Sequence, residues 1–249
     1  MVMNRLEGII YKTQPYKESS RLLQVFTPLG KVSLNARGSQ RINSNDRVIA
    51  QYLNLIEFEY NTFKSFMTLS KAKLINDFNN IKTNFNLAKT ASLVLELIDK
   101  VMIDEIYCKK VYELIIATLN SKYLEISVLS FALKMLYYLG YGMNLITEEK
   151  MVIGVSIDKG GLVYKGENFR LDLNVEEAIT LLKLTHLKIG DKLDIDESHL
   201  NEIKRFIYYY YENKMDVRLK ALKWKKRINY VNFWRFSKIR KNNRFCISR

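Results

Sequence analysis

One change of hydrophobic period, near Asn76, constrains this chain more than any other feature. Before it, apolar residues alternate. In Lys31-Val-Ser-Leu-Asn-Ala-Arg37, Val32, Leu34 and Ala36 point one way and Lys31, Ser33, Asn35 and Arg37 the other, the period of a half-buried antiparallel strand. Arg21 to Thr27 reads as a second strand joined through the turn Pro28-Leu-Gly30, and Leu6 to Lys12 as a third. Val48 to Tyr60 is predicted as a long fourth strand, with Ser65 to Lys73 returning as its partner. Five strands in residues 1–75 suit a small closed barrel of the OB type, which leaves no bare edge.

After Asn76 the period becomes helical. Leu87, Ala91, Val94, Ile98 and Val101 fall on one helix face, Tyr107 to Thr118 form a second helix, and Tyr123 to Leu139 a third that is apolar nearly all round. The apolar run from Ile126 to Ile146 is broken by Lys134, three tyrosines and Gly140/Gly142, so it reads as a buried helix rather than a membrane span. Residues 151–172 form a small β excursion around Lys159-Gly-Gly161. Asn174-Val-Glu-Glu177 has the form of a capping box, and a further helix starts near Asp196 with Leu200, Ile203, Ile207 and Tyr210 on one face. The expected fold class is α+β: an OB barrel over 1–75, a mostly helical domain over 76–228 with the excursion at about 148–172, and a basic aromatic tail over 229–249.

Charge divides along the same lines. The formal +14 splits into +6 over residues 1–73, −4 over 74–217 and +12 over 218–249, where no acidic residue occurs. A basic head and a very basic tail around a slightly acidic body point to a polyanionic partner. Catalytic devices are lacking. Gly161 and Gly166 have phosphate-loop spacing but are followed by Glu167 and Asn168 rather than Lys and Ser/Thr, and His186 and His199 belong to no HExxH pair. The expectation is a non-enzyme. Two cysteines, Cys108 and Cys246, exclude a disulfide scaffold and a set of Cys ligands for zinc. The first ten residues lack the pattern of a signal peptide, which makes the cytoplasm the expected compartment.

The order of the blocks carries a family resemblance. Glu7-Gly-Ile-Ile-Tyr-Lys-Thr13, Pro15-Tyr-Lys-Glu-Ser-Ser-Arg-Leu-Leu23, Phe26-Thr-Pro-Leu-Gly-Lys31 and Ala36-Arg-Gly38 resemble the RecO family of bacterial recombination mediators. The match continues through Leu69-Ser-Lys-Ala-Lys-Leu74, Leu139-Gly-Tyr-Gly142, Gly160-Gly161 and Leu219-Lys-Ala-Leu-Lys-Trp224, over roughly residues 4–228. The resemblance implies an OB-fold followed by a helical domain, binding of single- and double-stranded DNA, annealing of complementary strands, and loading of RecA with RecR onto strands coated by single-stranded-DNA-binding protein. It implies no covalent chemistry and no membrane.

Many members of that family carry a four-cysteine zinc module after the Leu-Gly-Tyr-Gly segment. Here its positions fall near Lys150, Ile153, Tyr164 and Glu167, a set that cannot hold tetrahedral zinc. No cofactor is expected, and apolar contacts of Met151, Ile153, Val155 and Val163 are expected to hold the excursion instead.

Candidate DNA-binding residues are Lys12, Arg21, Lys31, Arg37 and Arg41 in the barrel and Lys220 and Lys223 at the closing segment. Lys31 and Arg37 share a strand face, and Arg37, Gly38 and Arg41 match the family's basic segment. A row of guanidinium forks tracks phosphates without reading sequence. Tyr16 and Tyr52 are candidates for base stacking. In the tail, Tyr230, Phe233, Trp234, Phe236 and Phe245 interleave with Arg235, Lys238, Arg240, Lys241 and Arg244. That pattern leaves nucleic acid, docking on the chain's own body and a membrane surface all open. Two rival functions remain beside DNA repair: an RNA-binding OB protein, and an adaptor whose basic surface grips an acidic partner.

Overall fold

The computed structural model describes residues 4–102 and 107–222. Its amino-terminal part is a six-stranded sheet of β1 (Asn4–Tyr16), β2 (Ser20–Thr27), β3 (Gly30–Ala36), β4 (Leu55–Tyr60), β5 (Phe66–Thr68) and β6 (Lys73–Asn76), in the order β5-β3-β2-β1-β4-β6. All neighbours are antiparallel except β3 and β5. The long first strand serves two partners, pairing β4 over Asn4–Ile9 and β2 over Ile9–Tyr16. A bulge between Ile10 and Lys12 bends it where it changes partner. At Gly8, just before this bend, a Cβ would come within 2.4 Å of Val25 Cγ1, so only glycine lets β2 lie this close.

The expected closed five-stranded barrel is replaced by an open, OB-like sheet whose two edges nearly meet. β5 lies at one edge and β6 at the other, with only Leu69–Ala72 between them. Within that link Leu69 N–H donates to Asn35 O on the β3 side, and Ser70 O accepts from Glu59 N–H on the β4 side, each at 3.1 Å. Lys71, at φ 42°, breaks what the alternation read as one strand over Ser65–Lys73. The fourth strand is also shorter than expected. Residues 46–49 form a helical turn, α1 (Asp46–Ile49), and the strand begins only at Leu55. Buried Asn54 accounts for this: its Nδ2 donates to Val48 O at 2.8 Å and Ile49 O at 3.0 Å, and its Oδ1 accepts from Lys82 Nζ. That local bonding overrides the strand preference of Val48 and Ile49.

The helices follow the sequence closely: α2 (Asn79–Lys82), α3 (Phe85–Val101), α4 (Cys108–Leu119), α5 (Leu124–Tyr138), α6 (Val175–His186) and α7 (Glu197–Met215), then a 3-10 turn at Lys220–Leu222. Their starts are fixed by side-chain caps. Asn84 accepts from Asn86 N and Leu87 N at the start of α3, Asn174 and Glu177 form the capping box of α6, and Asp196 accepts from His199 N at α7. The central helix α5 is buried nearly all round, with only Glu125 and Tyr137 exposed, and its single cation, Lys134, reaches Thr185 O at 2.7 Å. From α7 the fully buried Tyr211 donates to Ala132 O of α5 at 2.8 Å.

Two cores result. Ile10, Leu23, Val25, Val32, Leu34, Ile56 and Phe58 fill the inside of the curled sheet. Ile9, Tyr11, Phe26, Leu53 and Leu55 face the other way and join the core of the helices. The sheet is therefore apolar on both faces, with alternate residues of β1 serving each core. The excursion forms a hairpin of β7 (Val152–Ser156) and β8 (Gly161–Tyr164). Val155 and Val163 are buried there as expected, whereas Met151 is exposed and contributes little.

Candidate nucleic-acid interface

The structure gathers the described candidate cations into two groups. The first lines a 460 Å³ cleft between the sheet, α3 and the 3-10 turn, bounded by Tyr11, Lys12, Tyr52, Lys89, Glu96, Asp99, Lys100 and Lys220. Most of its charge is internally matched. Lys12 Nζ lies 3.3 Å from Asp99 Oδ2, and Lys31 Nζ donates to the Asp99 carbonyl at 3.1 Å while sitting 5.6 Å over the Tyr11 ring. A cation on a carbonyl in the last turn of α3 is favoured by the helix dipole. Burial, partly offset by Asp99, lowers the Lys31 pKa, and burial beside Asp99 pushes the Tyr11 phenol up to about 12. Glu96 accepts the backbone N–H groups of Lys220 at 2.8 Å and Ala221 at 2.9 Å, and pairs with Lys100 at 2.7 Å. Lys31 thus joins sheet to helix, while the Lys220 ammonium is exposed and has no ion pair among the described residues.

The second group surrounds the turn between β1 and β2 and the loop from Arg37 to Ala50. Arg37, Arg41 and Arg47 are exposed and carry no side-chain hydrogen bond or ion pair among the described residues. Arg21 Nη1 donates to Ala50 O at 2.9 Å, which leaves the rest of its fork for another acceptor, and Lys17 Nζ lies 5.5 Å over the Tyr16 ring. The loop is tied to the turn. Gln40 N donates to Ser19 O at 2.9 Å, Gln40 Nε2 to Ser20 O at 2.5 Å, and Gly38 N to Ser20 Oγ at 3.4 Å. At Gly38, with φ 69°, the chain turns back so that Arg41 Cδ lies over the glycine.

Lys12 and Pro15, which pairs with Arg21, are both on β1. The two groups are therefore separated by about 10 Å of strand. Arg47, Lys89 and Lys100 stand beside these candidates without having been singled out from the sequence. Lys89, Ser92, Glu96 and Lys100 recur at helical spacing, a signal that marks one face of α3; Arg47 sits in the single helical turn α1, too short to show a period. Lys223 and the aromatic-basic tail lie outside the described residues.

Comparison with known proteins gives the chain its relatives. Residues 1–78 match the family model described as Recombination protein O N terminal. Over 240 residues the chain is 27% identical to the DNA repair protein RecO of Caldicellulosiruptor bescii, covering 89% of this chain and 97% of that one. It is 25% identical to the protein of the same name from Bacillus cereus over 239 residues, 88% of this chain and 95% of that one. The chain is thus similar to RecO proteins over most of its length. The match to the family model spans the whole sheet, including the arginine loop, and RecO proteins align through the helices as well.

The RecO zinc positions do not fit a metal here. Lys150 Nζ donates to Glu148 Oε2 at 2.7 Å, Ile153 offers no donor atom, and the Tyr164 hydroxyl donates to Ile146 O and accepts from Glu148 N, each at 3.1 Å. Glu167 Oε2 accepts Tyr164 N–H at 3.0 Å and pairs with Lys159. The ammonium groups of Lys150 and Lys159 lie 5.7 and 4.8 Å from the Tyr164 ring centre. Tyr164, clasped by two lysines, thus stands among the four positions that the resemblance assigns to zinc, and only Glu167 is an ordinary zinc ligand. Among the described residues no group of three or more His, Cys, Asp or Glu could hold a metal ion.

Proposed function

We propose that this chain is a non-catalytic DNA-binding recombination mediator of DNA repair. It binds single- and double-stranded DNA through its phosphates and anneals complementary strands. With RecR it helps load RecA onto strands coated by single-stranded-DNA-binding protein in the cytoplasm. The observation that carries the reading is the arginine loop. Three guanidinium groups, Arg37, Arg41 and Arg47, stand exposed and, among the described residues, unmatched on an OB-like sheet, in a segment covered by the family match. Unmatched surface arginines hold backbone phosphates in a bidentate, sequence-tolerant way, and release of the condensed counterions drives binding. Annealing needs no cofactor in this scheme, because the protein only cancels repulsion between two strands and base pairing supplies the favourable energy.

The names of the relatives support a repair role, and no described helix is long and apolar enough to cross a membrane. The test is an annealing assay with the full chain and with a chain ending at Ile228, run beside binding to DNA and RNA strands of equal length. Accelerated annealing of DNA by the full chain is expected. Tighter binding to RNA with no annealing would favour an RNA-binding protein, and no binding to either would leave only an adaptor.

A further inference from the structure

Within the arginine loop two apolar side chains point into solvent. Ile42 is 84% exposed and Val48 57%, although the backbone that carries them is bonded at both ends. Arg41 N donates to Gly38 O at 3.0 Å, Ser44 N to Arg41 O at 3.2 Å and Arg47 N to Ser44 O at 3.1 Å, while Asn54 holds Val48 O and Ile49 O. Ile49 packs on the inner core of the sheet, so its neighbour Val48 is turned outward by a fixed register. Isoleucine and valine are stiff at χ1, and presenting them loses little side-chain freedom on contact. They sit among Arg37, Arg41 and Arg47, with Glu18 and Asp46 as the acids of the same two loops.

An occupant must therefore offer anionic groups around a small apolar face. A fully stacked duplex hides its base faces, and opening a step requires unstacking. A flexible single strand offers faces in no fixed relation to its phosphates. The end of a duplex at a single-strand overhang has both: a last base pair covered by only one unpaired base, which is displaced more easily than a paired step, and phosphates on both the duplex and the overhang side. Two side chains make too small an apolar area to hold a lipid surface, but enough to cover one base pair.

We propose that Ile42, with Val48 of the same loop, covers the last base pair at a junction of double- and single-stranded DNA and displaces the first unpaired base, while Arg37, Arg41 and Arg47 grip the phosphates on either side of that step. The proposal rests on the DNA-binding reading above and adds a preferred DNA shape to it. Its use for an annealing protein is direct, since such a junction is the growing end of every partly annealed duplex.

The test uses the full chain with three DNAs: a single strand, a blunt duplex, and a duplex with an overhang carrying 2-aminopurine as the first unpaired base. Binding is followed by anisotropy and displacement of the base by fluorescence. The wild type is expected to bind the junction several-fold more tightly than either other form and to brighten the probe at saturation. Ile42→Ala should lose both the preference and the brightening, while its affinity for the single strand stays within about threefold. Ile42→Phe should keep both. Because Ile42 is nearly fully exposed, neither substitution disturbs a core, which circular dichroism checks.

Saturated binding with no preference for the junction, or equal brightening by Ile42→Ala, overturns the wedge but leaves phosphate binding standing. Failure to bind any DNA overturns both. Ile42-dependent binding to anionic vesicles, with junction preference unchanged in Ile42→Ala, assigns the loop to a membrane surface and overturns the proposal.

Discussion

Replacing Arg37, Arg41 and Arg47 together by glutamine gives a quantitative test of the interface. Each of the three guanidinium groups is exposed and lacks a described partner, so each counts as a whole phosphate contact, and none supports a core. For single strands the logarithm of the binding constant falls with the logarithm of salt by about 0.7 per neutralised phosphate. Three lost contacts should therefore flatten the slope by about 2, and at 0.1 M salt weaken binding by about a hundredfold. Fluorescence anisotropy with a labelled single strand of mixed sequence, titrated at salt concentrations from about 50 to 300 mM, measures both quantities. Lys31→Gln is the contrasting case. Lys31 is already held by the Asp99 carbonyl and the Tyr11 ring, so its loss should leave the slope nearly unchanged and act on stability instead. An unchanged slope in the triple variant, or a larger change in Lys31→Gln, refutes the assignment of DNA contact to the loop rather than to the cleft.

Three further outcomes follow from the packing. Tyr211→Phe removes the hydrogen bond to Ala132 O in a fully buried site and should lower stability by about 1–2 kcal/mol, read as a lower urea midpoint with unchanged slope; an unchanged midpoint would show the bond to be worthless. Burial raises the phenol pKa of Tyr11 and Tyr210 to about 12 and pushes those of Tyr112 and Tyr211 higher still. The folded state keeps these protons while the unfolded chain loses them from about pH 10, so stability is complete below pH 10 and falls as pH rises beyond it. Absorbance at 295 nm from these four should then appear together with unfolding, not before it.

In the excursion, the Lys159 hydrogen bond, followed by Tyr164 N–H, holds the Glu167 carboxyl below its ordinary value. Its contribution is present above the unfolded carboxylate pKa and is lost as pH falls through the depressed one. Chelator should leave thermal unfolding unchanged, whereas Glu167→Gln should speed amide exchange in the β7–β8 hairpin; a chelator-induced drop in melting temperature would contradict the lysine–tyrosine clasp.

The helical half was legible because its signals are local. Asn84, Asn174 and Asp196 cap the helices they precede, and the face formed by Leu87, Ala91, Val94 and Ile98 is a property of consecutive residues. The sheet was harder to read. Nothing in the alternation of residues 48–60 reveals that Asn54 will fold back onto Val48 and Ile49, since that depends on a pocket made by Lys82 from α2. The break at Lys71 likewise belongs to the meeting of two sheet edges. At the interface, residue type pointed to Arg37 and Arg41, but whether a cation is spoken for depends on tertiary partners. Asp99 claims Lys12 and Lys31 across 87 and 68 residues of sequence, and no sequence pattern announces it.

The sharing of β1 between two cores bears on how the molecule is assembled. Cut the chain after residue 78, where the family match ends, and the inner core of Ile10, Val25, Leu34 and Phe58 remains whole. The outer row of Ile9, Tyr11, Phe26, Leu53 and Leu55 would then lie bare to water. Such a fragment trades a covered face for a sticky one, prone to pair with its own copies. The helices lose in turn the surface that roofs them. Sheet and helices are therefore two patterns in sequence but one cooperative unit in melting, with the strand that begins the chain acting as its keel.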